Sequence, residues 1–177
     1  MYGMVNQAIK DLVVTQFGEN KWKEIADSSQ IKTDDFVLMD YYPDQITYTL
    51  VASASKALNL PADALLEEFG KYWVLYTAKE GYGPIMDMFG TDFKMCLENL
   101  NNLHARMGMT MPNLTPPRFV FKELSPQYFT LEYHSKRAGL SPMVNGLIKG
   151  IALKFNEKIQ TTFEEKEGLK TFHIQRL

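Results

Sequence analysis

The run Tyr133-His134-Ser135-Lys136-Arg137 places two hydroxyls and a guanidinium at every second position. In an extended strand, side chains at i, i+2 and i+4 share one face. Tyr133, Ser135 and Arg137 are therefore expected to point the same way. Two O–H donors and a planar fork suit a pair of carboxylates, because charge-assisted and bidentate contacts to carboxylate are the strong hydrogen bonds. The two propionates of a haem are one such pair. Upstream, His104 stands alone on the apolar side of an expected helix. One nitrogen of a neutral imidazole can bind haem iron while the other donates a hydrogen bond. Two plainer readings compete at this point. Alternating polar residues also make an ordinary solvated strand face, and a lone histidine in an apolar stripe is also a core residue bonded to backbone.

Other chemistry finds no footing. The chain has no GxxxxGK[ST], GxSxG, HExxH or CxxC. Its three histidines are His104, His134 and His173, and none has a second His or Cys at metal-ligand spacing. No serine or cysteine sits in a recognisable nucleophile setting. The expectation is a binding protein and not an enzyme.

The elements that must position these residues follow from periodicity. Val5, Ile9, Leu12 and Val13 repeat at helical spacing, with Gly18 as a stop. Ile46, Leu50, Val51 and Leu58 form a second stripe starting near Pro43-Asp44. Pro61 suits the first turn of a third helix, whose stripe is Leu65, Phe69, Tyr72, Trp73 and Tyr76 and whose stop is Gly81. Thr91 is the expected cap of a fourth helix, with Phe93, Leu97, Leu100, His104 and Met107 on one face. Pro112, Pro116 and Pro117 mark a loop. RFVFK from Arg118 and YFTLEY from Tyr128 read as strands joined at Ser125-Pro126, and 140–155 reads as a helix. A second hairpin follows, with alternation at Ile159, Thr161 and Phe163, a turn at Glu167-Gly168, and alternation again at Phe172 and Ile174. The class is α+β: a helical N-terminal subdomain, then a four-stranded antiparallel sheet with one long helix inserted.

With 177 residues, 45% of them hydrophobic and 23% charged, the chain has enough material for a single domain with its own core. A net charge of −2 argues against a nucleic-acid or anionic-membrane surface. The single cysteine, Cys96, excludes an internal disulfide and fits a reducing compartment. Inert packing is the first expectation for it, and a redox or NO-reactive thiol the second. The amphipathic start MYGMVNQAIKDLV reads neither as a signal peptide nor as a membrane span. A stand-alone cytoplasmic domain is expected.

Order and context narrow the reading. The chain resembles the haem–nitric oxide/oxygen-binding (H-NOX) domain, the haem domain of animal soluble guanylate cyclase and of stand-alone bacterial gas sensors. The resemblance starts at MYGMVNQAI and runs through LLEEFGKYWVLYTAKEGYG and the ENLNNLHARMG around His104. It continues in PPRF, YHSKR and GLSPMVNGLIKG, and so covers essentially the whole chain. Tyr-x-Ser-x-Arg is short by itself, but it is specific when it follows this histidine and a double proline. The resemblance implies one haem-binding domain over 1–177, with a helical part over about 1–60, a haem-cradling part over 61–177, and haem b (iron protoporphyrin IX) between them. It implies His104 as the sole protein ligand to iron and Tyr133, Ser135 and Arg137 on the propionates. Pro117 would press on the haem and hold it from flatness. Asp44 aligns loosely with a partner for Arg137, but reads first as a helix-start acid.

The resemblance also bears on the gas. Bound O2 draws negative charge from ferrous iron, so a distal hydrogen-bond donor stabilises it, whereas NO needs this far less. Members that hold O2 tightly carry a tyrosine in the helix after the Tyr-x-Ser-x-Arg motif. Here the aligned residue is Met143, and its neighbours Pro142 and Val144 cannot donate from a side chain either. Trp73 and Val5 would stand on the distal side; the Trp73 indole N–H competes with this reading, and the hydroxyls of Tyr72, Tyr76 and Tyr82 are nearby in sequence without an assigned place. The expectation is a ferrous haem that binds NO and CO and discriminates against O2. Release of His104 would carry the signal to a separate sensor histidine kinase or cyclic-di-GMP enzyme. The alternative is an O2-binding sensor, or a gas or haem carrier without signalling output.

Overall fold

The structure, a computed structural model, describes residues 1–31, 36–77 and 90–177. The chain divides into two compact units, Met1–Phe69 and Gly70–Leu177.

The first unit is helical. Helix α1 (Gly3–Phe17) buries Ala8, Ile9, Leu12 and Val13, and Gly18 ends it at φ 83°. The N–H groups of Gly3 and Met4, which no helical carbonyl can reach, donate to Asp40 O at 2.8 Å and Leu38 O at 3.0 Å. This close wrap requires glycine at position 3, because a Cβ there would lie 2.0 Å from the Val37 carbonyl oxygen. Asp44 pairs with the Met1 ammonium at 2.6 Å and is the first residue of α3 (Asp44–Leu58). The helix-start reading of Asp44 thus has a cationic partner within its own unit.

Helix α2 (Glu19–Ser29) has no counterpart in the sequence-based expectation. Its segment, ENKWKEIADSS, is mostly polar. The inward face, Trp22, Ile25, Ala26 and Ser29, recurs at helical spacing but holds only two large apolar side chains. Helix α4 (Ala62–Thr77) begins just after Pro61 as expected, while the expected stop at Gly81 lies outside the described residues.

The expected fourth helix is two helices. Helix α5 (Phe93–Glu98) is capped by Asp92, not Thr91: the Asp92 carboxylate accepts from Met95 N at 2.8 Å. The helix breaks at Asn99 (φ −95°, ψ 6°), whose side chain donates back to Met95 O at 3.1 Å. Helix α6 (Leu100–Thr110) starts directly after it. Local amide-to-backbone bonding competes with the helical ladder, and that is what Asn99 does here.

Strands β1 (Arg118–Ser125) and β2 (Tyr128–His134) form the first hairpin. Helix α7 (Ser141–Lys154) is inserted, and β3 (Ile159–Lys166) and β4 (Leu169–Arg176) form the second hairpin. The sheet order is β1-β2-β4-β3, antiparallel throughout. Glu167 and Gly168 turn the second hairpin at φ 53° and 80°. One sheet face supplies Phe119, Phe129, Leu131, Tyr133, Phe172 and Ile174 to a core that α7 closes with Val144, Ile148 and Ile151. Helix α7 also lies tight against α4: a Cβ on Gly70 would be 2.2 Å from the Met143 carbonyl oxygen.

Candidate functional site

His104 sits in the second turn of α6 and is half-buried. Its Nδ1 is buried and has no hydrogen-bond partner among the described residues. The reading of His104 as a core histidine bonded to backbone through this nitrogen therefore does not fit. Burial pushes its pKa below the usual histidine value, which favours the neutral ring. Neutral imidazole is the form that ligates a metal.

Two contacts orient this ring. The Phe119 ring lies nearly parallel to it, 6.0 Å between centroids and 14° between planes. One turn before His104, Asn101 brackets the Phe119 peptide. Asn101 Nδ2 donates to Phe119 O at 2.7 Å, and Phe119 N donates to Asn101 Oδ1 at 2.9 Å. Among the described residues, no residue of α6 is itself buried.

Tyr133, Ser135 and Arg137 come together, but not by the expected strand alternation. Strand β2 ends at His134, and 136–139 is a bend. Ser135 makes the turn, its Oγ accepting from Arg137 N at 3.0 Å. Burial raises the pKa of the Tyr133 phenol, outweighing the nearby Ser135 hydroxyl and Arg137 charge, which act to lower it. The guanidinium of Arg137 donates to Thr115 O at 2.8 Å and to Thr115 Oγ1 at 3.1 Å. Thr115 stands two residues before Pro117, which is half-buried at the entry to β1. Lys170, paired with Tyr133 across β2 and β4, holds its ammonium 5.8 Å from the Tyr133 ring centroid.

The aromatic contacts run on from one group to the other. Phe119 pairs with Tyr133 across β1 and β2, and their rings are 5.5 Å apart. Phe119 thus touches both the imidazole and the phenol.

Trp73 lies on α4, one turn after Gly70, with its ring 6.3 Å from that of Tyr76. Met143 is half-buried in the first turn of α7, and its backbone abuts Gly70. The Gly70 contact sets the helical segments carrying Trp73 and Met143 side by side. Val5 is half-buried on α1, in the first unit. Tyr82 lies outside the described residues.

His173 Nδ1 shares a hydrogen bond of 2.8 Å with the Tyr128 hydroxyl. His134 Nε2 lies 3.5 Å from Glu132 and, like His104 Nδ1, is buried without a hydrogen-bond partner among the described residues. Cys96 is half-buried, and its Sγ is 3.6 Å from Gly90 O. Among the described residues, no group of three or more His, Cys, Asp or Glu side chains could hold a bare metal ion. A metal at His104 would have to arrive with its other ligands, as the iron of a haem does. The residues present fit that group: a buried, neutral imidazole nitrogen without a partner, and a separate cluster of two hydroxyls and a guanidinium for two carboxylates.

Sequence reasoning missed Asn101, Thr115, Phe119 and Lys170. Asn101 is hidden by its company, since Asn99 and Asn102 surround it and nothing local says which amide turns inward. Phe119 belongs to a strand whose inward face was legible, but its stacking on His104 depends on the break at Asn99.

The family model described as Haem-NO-binding matches residues 2–163. Two soluble guanylate cyclases of Caenorhabditis elegans are similar in sequence. Gcy-32 is 29% identical over 155 residues, covering 86% of this chain and 23% of its own length. Gcy-34 is 29% identical over 160 residues, covering 88% and 23%. The chain thus spans about a quarter of the length of these relatives. In fold it is similar to an H-NOX protein from S. oneidensis in the Fe(II)NO ligation state, with TM-score 0.90, 22% identity, and 100% and 99% of the two chains covered. It is also similar to the Fe(II) unliganded H-NOX protein from K. algicida, with TM-score 0.85, 20% identity, and 100% and 97% covered. A match that takes in nearly all of the chain, on a fold shared with H-NOX structures over their whole length, shows that the chain belongs to the haem-NO-binding family.

Proposed function

We propose that the chain is one haem-based gas-sensing domain that holds ferrous haem b. It takes NO and CO at the iron and discriminates against O2. The observation that carries this reading is the buried His104 Nδ1 without a partner, on a helix that buries none of its own residues. That combination suits an imidazole whose bond is to iron. A haem bound here would supply the iron at which a diatomic gas binds.

The chain's residues divide the remaining tasks. His104 tethers α6 to the iron. Tyr133, Ser135 and Arg137 hold the propionates through charge-assisted hydrogen bonds. Pro117 would press on the haem and hold it from flatness. Trp73 and Met143 would wall the gas side, and Met143 offers no side-chain donor for O2. Held to the group through one histidine, α6 would be released if NO displaced that ligand. Without that tether α6 shifts, which is the two-state element a signal requires. The receiver is a separate protein, a sensor histidine kinase or a cyclic-di-GMP enzyme. The domain itself carries out no catalysis.

The test is an absorption spectrum of the reduced protein without gas, with NO, and in air. A Soret band that shifts with NO and ignores air is the expected result. A stable oxy form would replace this reading with O2 sensing or carriage, and no Soret band after haem loading would end the haem assignment. His104→Gly supplied with imidazole should bind NO yet fail to pass the change to a partner. Partner control that still followed NO in that variant would rule out the tether.

A further inference from the structure

Helix α6 carries the residue with the most at stake, and none of its side chains is fully buried in the protein. A helix of this length draws its stability mainly from packing an apolar face. At its start Leu100 packs half-buried against the sheet core, and beyond that contact the Asn101 bracket is the most directional tie that α6 has. Both polar ends of the carboxamide are used, at 2.7 Å and 2.9 Å, on the N–H and the C=O of one residue of β1. A single hydrogen bond leaves a helix free to pivot. Two antiparallel bonds to the same residue fix both rotation and height. The residue so gripped is also the one whose ring lies 14° from the His104 plane and 5.5 Å from Tyr133.

We propose that Asn101 is a positioning residue for the iron-ligating histidine. By bracketing the Phe119 peptide it fixes the rotational setting of α6. Phe119 then serves as a common spacer that sets the imidazole plane relative to the Tyr133 end of the propionate site. The inference rests on the haem reading above, and it adds what governs the strength and release of the histidine tether. Loosening the bracket lets α6 turn, so His104 is held less firmly and leaves sooner when NO arrives.

The experiment uses the haem-loaded full chain and reads two quantities that a merely structural role would not move. One is the iron–histidine stretching frequency of the reduced protein, and the other is the rate of His104 loss after mixing with NO. Asn101→Ala should lower the frequency and speed the loss by roughly fivefold, the scale of one net hydrogen bond. Phe119→Leu removes the ring but leaves both backbone bonds, and should shift the frequency as well. Asn101→Asp keeps the acceptor for Phe119 N and loses the donor to Phe119 O, so it should fall between wild type and Asn101→Ala. It also serves if the alanine variant does not fold. Asn102→Ala removes a neighbouring amide that donates to Asn99 Oδ1 at 2.9 Å, and should match wild type. Wild-type values in Asn101→Ala or Asn101→Asp, or an equal shift in Asn102→Ala, would overturn the positioning role while leaving the haem reading intact. A wild-type chain that takes up no haem would overturn both.

Discussion

Arg137 donates from both terminal nitrogens to Thr115, at 2.8 Å to the carbonyl and 3.1 Å to the hydroxyl. The turn after β2 is thereby tied to the linker that carries Pro117. A strain on the linker and a pull on the propionates would meet at this one side chain.

Removal of this fork is expected to weaken haem retention before it weakens the fold. Arg137→Ala should speed haem transfer to an excess of apomyoglobin by about tenfold or more, the range of a charge-assisted hydrogen bond. Arg137→Lys should recover only part of this, because an ammonium cannot serve two acceptors in a plane. Thr115→Val keeps the carbonyl acceptor and should cost no more than about threefold. Equal transfer rates in wild type and Arg137→Ala would remove Arg137 from the propionate site.

This cluster shows how far the sequence could be read. Residue types and order were sufficient to nominate Tyr133, Ser135 and Arg137, yet the geometry invoked for them was wrong in one respect. The strand stops at His134, and Ser135 bonds the Arg137 amide, so a turn brings the trio together. Strand periodicity carries no information about where a serine will choose the backbone over the ladder. Helices α1, α3 and α4 were legible because their apolar stripes are long. Helix α2 was not, because Trp22 and Ile25 are its only large apolar residues facing inward. The split at Asn99 was hidden for a related reason: the stripe from Phe93 to Met107 continues across it, and only the amide's bond to Met95 O reveals the break.

Tyr133 links the site to alkaline stability. Burial raises its phenol above the ordinary value of 10.0, with Ser135 and Arg137 acting in the other direction. Above about pH 10 the unfolded chain gives up this proton while the folded chain keeps it. The associated stability is present in full below that pH and is lost as pH rises through the folded value. Urea unfolding from about pH 9 to about pH 11 should therefore show a steeper loss in wild type than in Tyr133→Phe. Parallel curves would mean that the folded phenol titrates as it does in the unfolded chain.

Gly70 and Gly108 are both helical glycines with opposite prospects. An added Cβ at Gly70 would lie 2.2 Å from Met143 O and 2.8 Å from Leu147 N, while at Gly108 nothing lies within 4 Å. Gly70→Ala must push α4 from α7 and should cost about 1–3 kcal/mol despite the better helix propensity of alanine. Gly108→Ala should gain about 0.5–1 kcal/mol, since only the propensity term acts there. Chemical denaturation of the two variants measures both. Two variants moving in the same direction would show that the α4–α7 contact is softer than its geometry indicates.

Met143 offers the most direct handle on gas choice. It lies in the first turn of α7, half-buried, with its backbone against Gly70 of α4 and hence beside the turn that carries Trp73. Methionine has no side-chain donor, and a phenol at the same place would have one. Met143→Tyr is expected to give the reduced protein an oxy spectrum in air, with O2 leaving about tenfold more slowly than from any oxy form of the wild type. Bulk changes along with chemistry in that replacement, so Met143→Phe is its necessary companion: it has the same ring without the hydroxyl. An oxy band in Tyr and none in Phe would assign the effect to the hydrogen bond. An oxy band in both would trace it to a reshaped wall. Its absence from both haem-loaded variants would take Met143 off the gas side, and would leave the Trp73 indole as the residue to replace next.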